Sequence, residues 1–141
     1  MLDTDLCIRL LRDRPQGLRA HFNAEAETLC ISAITLKELL HGAAKSARPS
    51  ENRRAVEGLA ARMTVLPFED TAAAHAGEIT AELERLGTPI GGYDVLIAGH
   101  ARSQGLKVIT GNLGEFSRVP GLLAEDWLAP PPATRKPRGQ T

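Results

Sequence analysis

A chain of 141 residues suits one compact domain with a single core. Hydrophobic residues make up 43% of it, which argues against global disorder. Its 17 basic and 17 acidic side chains cancel; zero formal charge excludes a bulk nucleic-acid coat but not an enzyme that grips a few phosphates beside an acidic centre.

Taken in chain order, the first residues carry no charged-then-apolar leader, because Asp3 and Asp5 interrupt it at once. Asp3 or Thr4 is suited to cap a predicted helix over residues 6–11. Residues 28–31 (TLCI) favour a strand that ends at Ser32. A helix is predicted over 33–44, with Leu36, Leu39, Leu40 and Ala43 on one face. Residues 48–52 break the pattern, and 53–61 predict a second helix. Residues 63–68 (MTVLPF) predict a buried strand with Pro67 near its end.

Asp70 and Thr71 are N-cap candidates for the next helix. Its apolar face is Ala72, Ala76, Ile79, Leu83 and Leu86, and Gly87 stops it. Gly91 and Gly92 precede a helix over 93–104 that Gly105 ends. Residues 106–110 (LKVIT) predict a strand, 111–114 a turn-rich stretch, and Leu122 and Leu123 lead into a last extended piece.

This order of strands and helices indicates an α/β domain with a mostly parallel sheet. Sites in such sheets form at the C-terminal ends of strands. That rule selects Asp3 to Asp5, the helix after Ile31, and the stretch from Thr110 to Glu115. From Ala129 onward the chain is proline-rich and basic, and disorder is expected there. No apolar run approaches the ~18 residues of a membrane span, so a soluble, cytoplasmic protein is expected. Cys7 and Cys30 sit among apolar neighbours and fit buried thiols better than a disulfide or a zinc site.

A divalent-metal nuclease needs carboxylates converging from distant segments, because Mg²⁺ is a hard cation that takes oxygen ligands. Asp3 fits both a helix cap and a ligand. Glu38 lies away from the apolar face of its helix, as a solvated charge would. Asp94 stands in the first turn of a helix, where the dipole favours an acid in any case. Glu115 lies in the turn-rich stretch, as an ordinary loop glutamate would, with Asn112 and Thr110 nearby. His100 fits a packed core histidine. No phosphate-cradling glycine loop and no Ser/His/Asp pattern is present.

Several segments in series are similar to one family. Leu2–Asp3–Thr4–Asp5, the segment from Ile31 to Leu39, and the block from Gly87 to His100 resemble motifs of PIN-domain ribonuclease toxins of the VapC family. So do Val108 to Asn112 with Glu115–Phe116, Arg118 to Leu122, and Glu125–Asp126–Trp127. The resemblance spans residues 1–128, leaving 129–141 as a tail. It implies a three-layer α/β/α fold and a Mg²⁺-dependent endoribonuclease, with Mn²⁺ as the alternative ion, that hydrolyses RNA by metal-activated water. It makes Asp3 and Asp94 the principal metal ligands, with Glu38 and Glu115 completing the acidic pocket. Asn112 is then expected to orient one of them or a water. The implied partners are tRNA as substrate, a cognate VapB-like antitoxin and a second copy in a homodimer, with no membrane. Lys37, Lys45 and Arg102 are candidates for steering RNA.

The sequence departs from the family pattern at Asp5 and Gly111, where relatives carry asparagine, and at Leu113 and Gly114, where they often carry Thr and Arg. The chain also starts close to Asp3, so the first strand is expected to be clipped, weakening the edge that positions Asp3. Two competing readings are a catalytically weak PIN-like module that binds antitoxin and operator DNA, and a different metal-dependent phosphodiesterase. Retention of all four carboxylates favours catalysis.

Overall fold

The computed structural model describes residues 1–128. The predicted disordered tail, 129–141, lies outside the described residues.

Helix α1 spans Thr4–Arg12 and α2 spans Leu18–Glu25. A 3₁₀ turn leads into β1, Cys30–Ser32, which runs directly into α3, Ala33–Ala44. Helix α4 is Pro49–Ala60 and β2 is Thr64–Leu66. Helix α5, Asp70–Arg85, precedes α6, Gly92–Ser103. Strand β3 is Val108–Thr110, α7 is Leu113–Phe116 and β4 is Ala124–Asp126.

Strand β1 pairs in parallel with β2, and β3 with β4. Residues 1–3 join the two pairs. Leu2 N–H donates to the Cys30 carbonyl (2.9 Å), Asp3 N–H to that of Ile109 (3.0 Å), and Ile109 N–H to that of Met1 (2.8 Å). The sheet order is therefore β2, β1, residues 1–3, β3, β4. The first strand is short, as expected, but it lies in the middle of the sheet and not at an edge. Asp3 is held from both sides.

The sheet separates two apolar cores, and side chains alternate between them with the strand period of two. Leu2, Ile31, Val65 and Ile109 face one core, with Leu6 and Leu10 of α1, Phe22 of α2 and Leu39 of α3. Met1, Cys30, Leu66 and Val108 face the other, with Ile79 and Leu83 of α5 and Ile97 of α6. This is the expected three-layer α/β/α arrangement.

Helix α3 keeps its predicted bounds because Ser32 accepts from Ile34 N–H as its N-cap (3.1 Å). Three local expectations are corrected. Glu69, not Asp70 or Thr71, is the N-cap of α5, and no side chain caps it. Leu86 is 64% exposed, because the helix ends at Arg85 and Gly87 turns away in the left-handed region. Helix α4 begins at Pro49, where a proline needs no N–H partner, and not at Arg53. Both cysteines are free thiols, Cys7 buried and Cys30 half-buried.

Candidate active site

Of the five residues singled out in the sequence, Asp3, Glu38, Asp94 and Glu115 come from four different elements and are close enough for their charges to act on Asp94. Asp3 follows the central strand and caps α1, accepting from Leu6 N–H at 2.9 Å. It is 2% exposed, and its other carboxylate oxygen accepts from Thr110 Oγ1 at 2.5 Å. Capping and a place in the acidic cluster thus coexist, one oxygen for each neighbour.

Glu38 is half-buried and not a solvated charge. Thr4 Oγ1 of α1 donates to Glu38 Oε1 at 2.8 Å and lies 3.2 Å from Thr35 Oγ1. A helical wheel cannot register this, because the covering residue comes from another helix. Asp94 stands in the first turn of α6. A Cβ at Gly91 would lie 3.3 Å from Asp94 Oδ2, so that glycine makes room for the carboxyl group itself. Glu115 lies in the short helix α7 and not in a loop. The side chain of Asn112 is exposed; its backbone N–H donates to Thr110 Oγ1 at 2.7 Å.

The electrostatics show how close these acids are. Burial pushes the Asp94 carboxyl up to about 7. A hydrogen bond to Glu115 and the charges of Glu115, Asp3 and Glu38 push the same way. Burial also raises Asp3 to about 6, against the hydrogen bonds from Thr110 and Leu6. Asp3 and Asp94 therefore hold their protons to higher pH than free carboxyl groups do, and a bound cation would offset the charge they gain on losing them.

Among the described residues no three acidic, cysteine or histidine side chains are grouped as a ready-made cage for an ion. The donor set is all oxygen, and excess negative charge is focused on Asp94. That combination fits a hard, water-rich cation held by one or two carboxylates and the substrate phosphate, and not an all-protein cage.

Sequence reasoning undervalued Thr110 and overlooked Thr4 and Thr35 as the hydroxyls that tie Asp3 and Glu38 in place. Thr35 stands three residues before Glu38, on the same side of α3, and that spacing was the available signal. The two asparagine departures meet in space. A Cβ at Gly111 would overlap the Leu128 side chain and lie 3.2 Å from Asp5 Oδ2. Asp5 also pairs with Arg9 at 3.0 Å, which offsets part of the charge by which Asp5 raises Asp3. Arg102 is committed elsewhere, to His75, Glu78 and the Pro120 carbonyl. Lys37 and Lys45 instead line a groove of about 560 Å³ that runs from Thr4 and Glu38 towards α4.

Residues 1–122 match the PIN domain family. The chain belongs to that family. This PIN domain is similar to the tRNA(fMet)-specific endonuclease VapC of Salmonella typhimurium, 51% identical over 127 residues that cover 90% of this chain and 96% of that one. The structure of DNA-bound VapBC from Salmonella typhimurium matches with a TM-score of 0.86 and 51% identity, covering 90% of this chain and 96% of that chain. VapBC2 from Rickettsia felis, bound to a DNA fragment from their promoter, matches with a TM-score of 0.85 and 32% identity, covering 90% and 97%. Among the described residues no helix is long and apolar enough to cross a membrane.

Proposed function

We propose that this PIN domain is the toxin of a VapBC-type toxin–antitoxin pair, an endoribonuclease that cuts tRNA in the cytoplasm. A VapB-like antitoxin silences it, and two copies pair as a homodimer. The observation that carries the catalytic reading is the meeting of Asp3, Glu38, Asp94 and Glu115, with Asp94 pushed up to about 7 by burial and then by these acidic neighbours.

Asp3 and Asp94 would hold the cation, Mg²⁺ or Mn²⁺, with Glu38 and Glu115 completing the acidic pocket around it. When bound, the ion neutralises phosphate charge and makes water a competent nucleophile at neutral pH. The residues supply the rest. Thr110 and Leu6 N–H fix both oxygens of Asp3. Thr4 aims Glu38 into the cluster. Glu115, hydrogen-bonded to Asp94, favours a proton on the Asp94 carboxyl by its charge. Asn112, exposed at the start of α7, would orient one of these acids or a water at the rim. Hydrolysis in line with the leaving oxygen gives a 5′-phosphate and a 3′-hydroxyl. A looped or unpaired strand suits a recessed cluster better than a duplex does.

The test is cleavage of purified tRNA with the ends mapped. Chelation with EDTA should stop the cut, and Mg²⁺ or Mn²⁺ should restore it. Asp94→Asn and Asp3→Ala should each lower the rate by at least about a hundredfold while keeping the parent's circular dichroism. Undiminished cleavage in chelator, or a parent-like Asp94→Asn, would overturn the reading.

A further inference from the structure

One aromatic side chain at the mouth of the cluster has no role in the chemistry above. Tyr93 directly precedes Asp94 in α6 and is 46% exposed. Lys37 directly precedes Glu38 in α3. The two meet across the mouth: Lys37 Nζ donates to Tyr93 Oη at 2.7 Å. Nζ lies 4.9 Å from the ring centre, much farther than from the hydroxyl. The ammonium therefore lies over the hydroxyl end of the ring, and the side chain stays 46% exposed. The bridge fixes the ring, and both residues line the groove that opens beside Glu38.

We propose that Tyr93, braced by Lys37, is a stacking platform for an unpaired nucleobase of the RNA beside the cut phosphate. The inference rests on the ribonuclease reading of the same site and adds what selects its substrate. Consecutive Cα atoms are about 3.8 Å apart, so a phosphate held at Asp94 leaves an adjoining base within reach of the neighbouring ring. Every base has a π face, and stacking on an aromatic side chain contributes without reading sequence. A duplex keeps its bases stacked on one another and cannot use such a ring. The cationic brace suits a phosphate-bearing strand, whereas an apolar protein segment would favour the other end of the groove, where Ile8, Leu11 and Val56 lie.

The experiment uses the full chain and an RNA stem–loop whose loop carries the mapped cut, in Mg²⁺ buffer. Tyr93→Ala should raise KM about tenfold and change kcat far less. Tyr93→Phe, which keeps the ring and loses the bridge, should recover most of that loss. Substrates with an abasic position on one side of the cut, then the other, complete the cycle. At one of these positions the parent should lose its advantage over Tyr93→Ala. Equal KM values for parent and Tyr93→Ala would overturn the platform. So would an unchanged advantage on both abasic substrates, or a Tyr93→Ala defect seen only in binding a VapB-type antitoxin. Absence of cleavage by the parent itself would instead sink the ribonuclease reading, so the two failures are distinguishable.

Discussion

Asp94 shows how a residue can be unfavourable for the fold and useful for the chemistry. In the unfolded chain its carboxyl titrates near 3.8; in the fold it is pushed up to about 7, first by burial and then by Glu115. Between those values the folded state holds the proton more tightly. The stabilising contribution of that proton is therefore complete below the lower value and is lost as the pH rises through the upper one. Asp3, raised to about 6, acts in the same direction. In metal-free buffer the melting temperature should fall as the pH is raised from about 5 to about 8, and Asp94→Asn should flatten that fall. Millimolar Mg²⁺ should raise the melting temperature more at the alkaline end, where a cation replaces the missing proton. A Mg²⁺ effect equal at both ends would show that the cluster does not take the ion. Glu38 teaches the complementary lesson about legibility. Its identity as an acid was plain in the sequence, but its burial was not, because Thr4 of another helix supplies the covering hydroxyl.

At the scale of elements, legibility follows the strength of local signals. Helix α3 was readable to the residue because Ser32 is a capping side chain ahead of apolar periodicity. Helix α2 was not, since its N-cap is Gly17 in the left-handed region with no side-chain cap, and it buries only Leu18 and Phe22. The single turn of α7 is too short to carry a period, so the sequence alone reads Glu115 as a loop residue. Tertiary contacts that no period encodes also decide which glycines matter. A Cβ at Gly99 would lie 2.6 to 2.8 Å from Ala76 backbone and side-chain atoms, so α5 and α6 cross at a contact only glycine permits. Gly77 of α5 is exposed, and a Cβ there meets nothing within 4 Å. Gly99→Ala should destabilise by about 3 kcal/mol, because rigid backbone must shift. Gly77→Ala should stabilise by about 0.5–1 kcal/mol through helix propensity alone. Urea titration of both variants distinguishes packing from propensity; similar effects of the two would refute the close crossing.

Over the whole molecule, the most consequential placement is that of residues 1–3. The motif containing Asp3 was legible as a site, but its brevity suggested a weak edge. Strand order is a long-range property: nothing in Leu2 announces that Cys30 and Ile109 flank it. Set in the middle, this stretch links β1 to β3, and hence the element that leads into Glu38 to the one that leads into Glu115. Leu2 is fully buried among α1 and sheet residues, so shortening it removes contacts that the surrounding layers cannot collapse to restore. Leu2→Ala should therefore cost about 3 kcal/mol in urea with an unchanged denaturant slope. Because Asp3 is the next residue, cleavage should also fall under conditions where the variant is still fully folded. Leu66→Ala lies in β2 at the edge of the same sheet, half-buried, and should cost less and leave cleavage nearer the parent's. If the two variants lost stability and activity equally, the central position of the first strand would not be what holds the acidic cluster together.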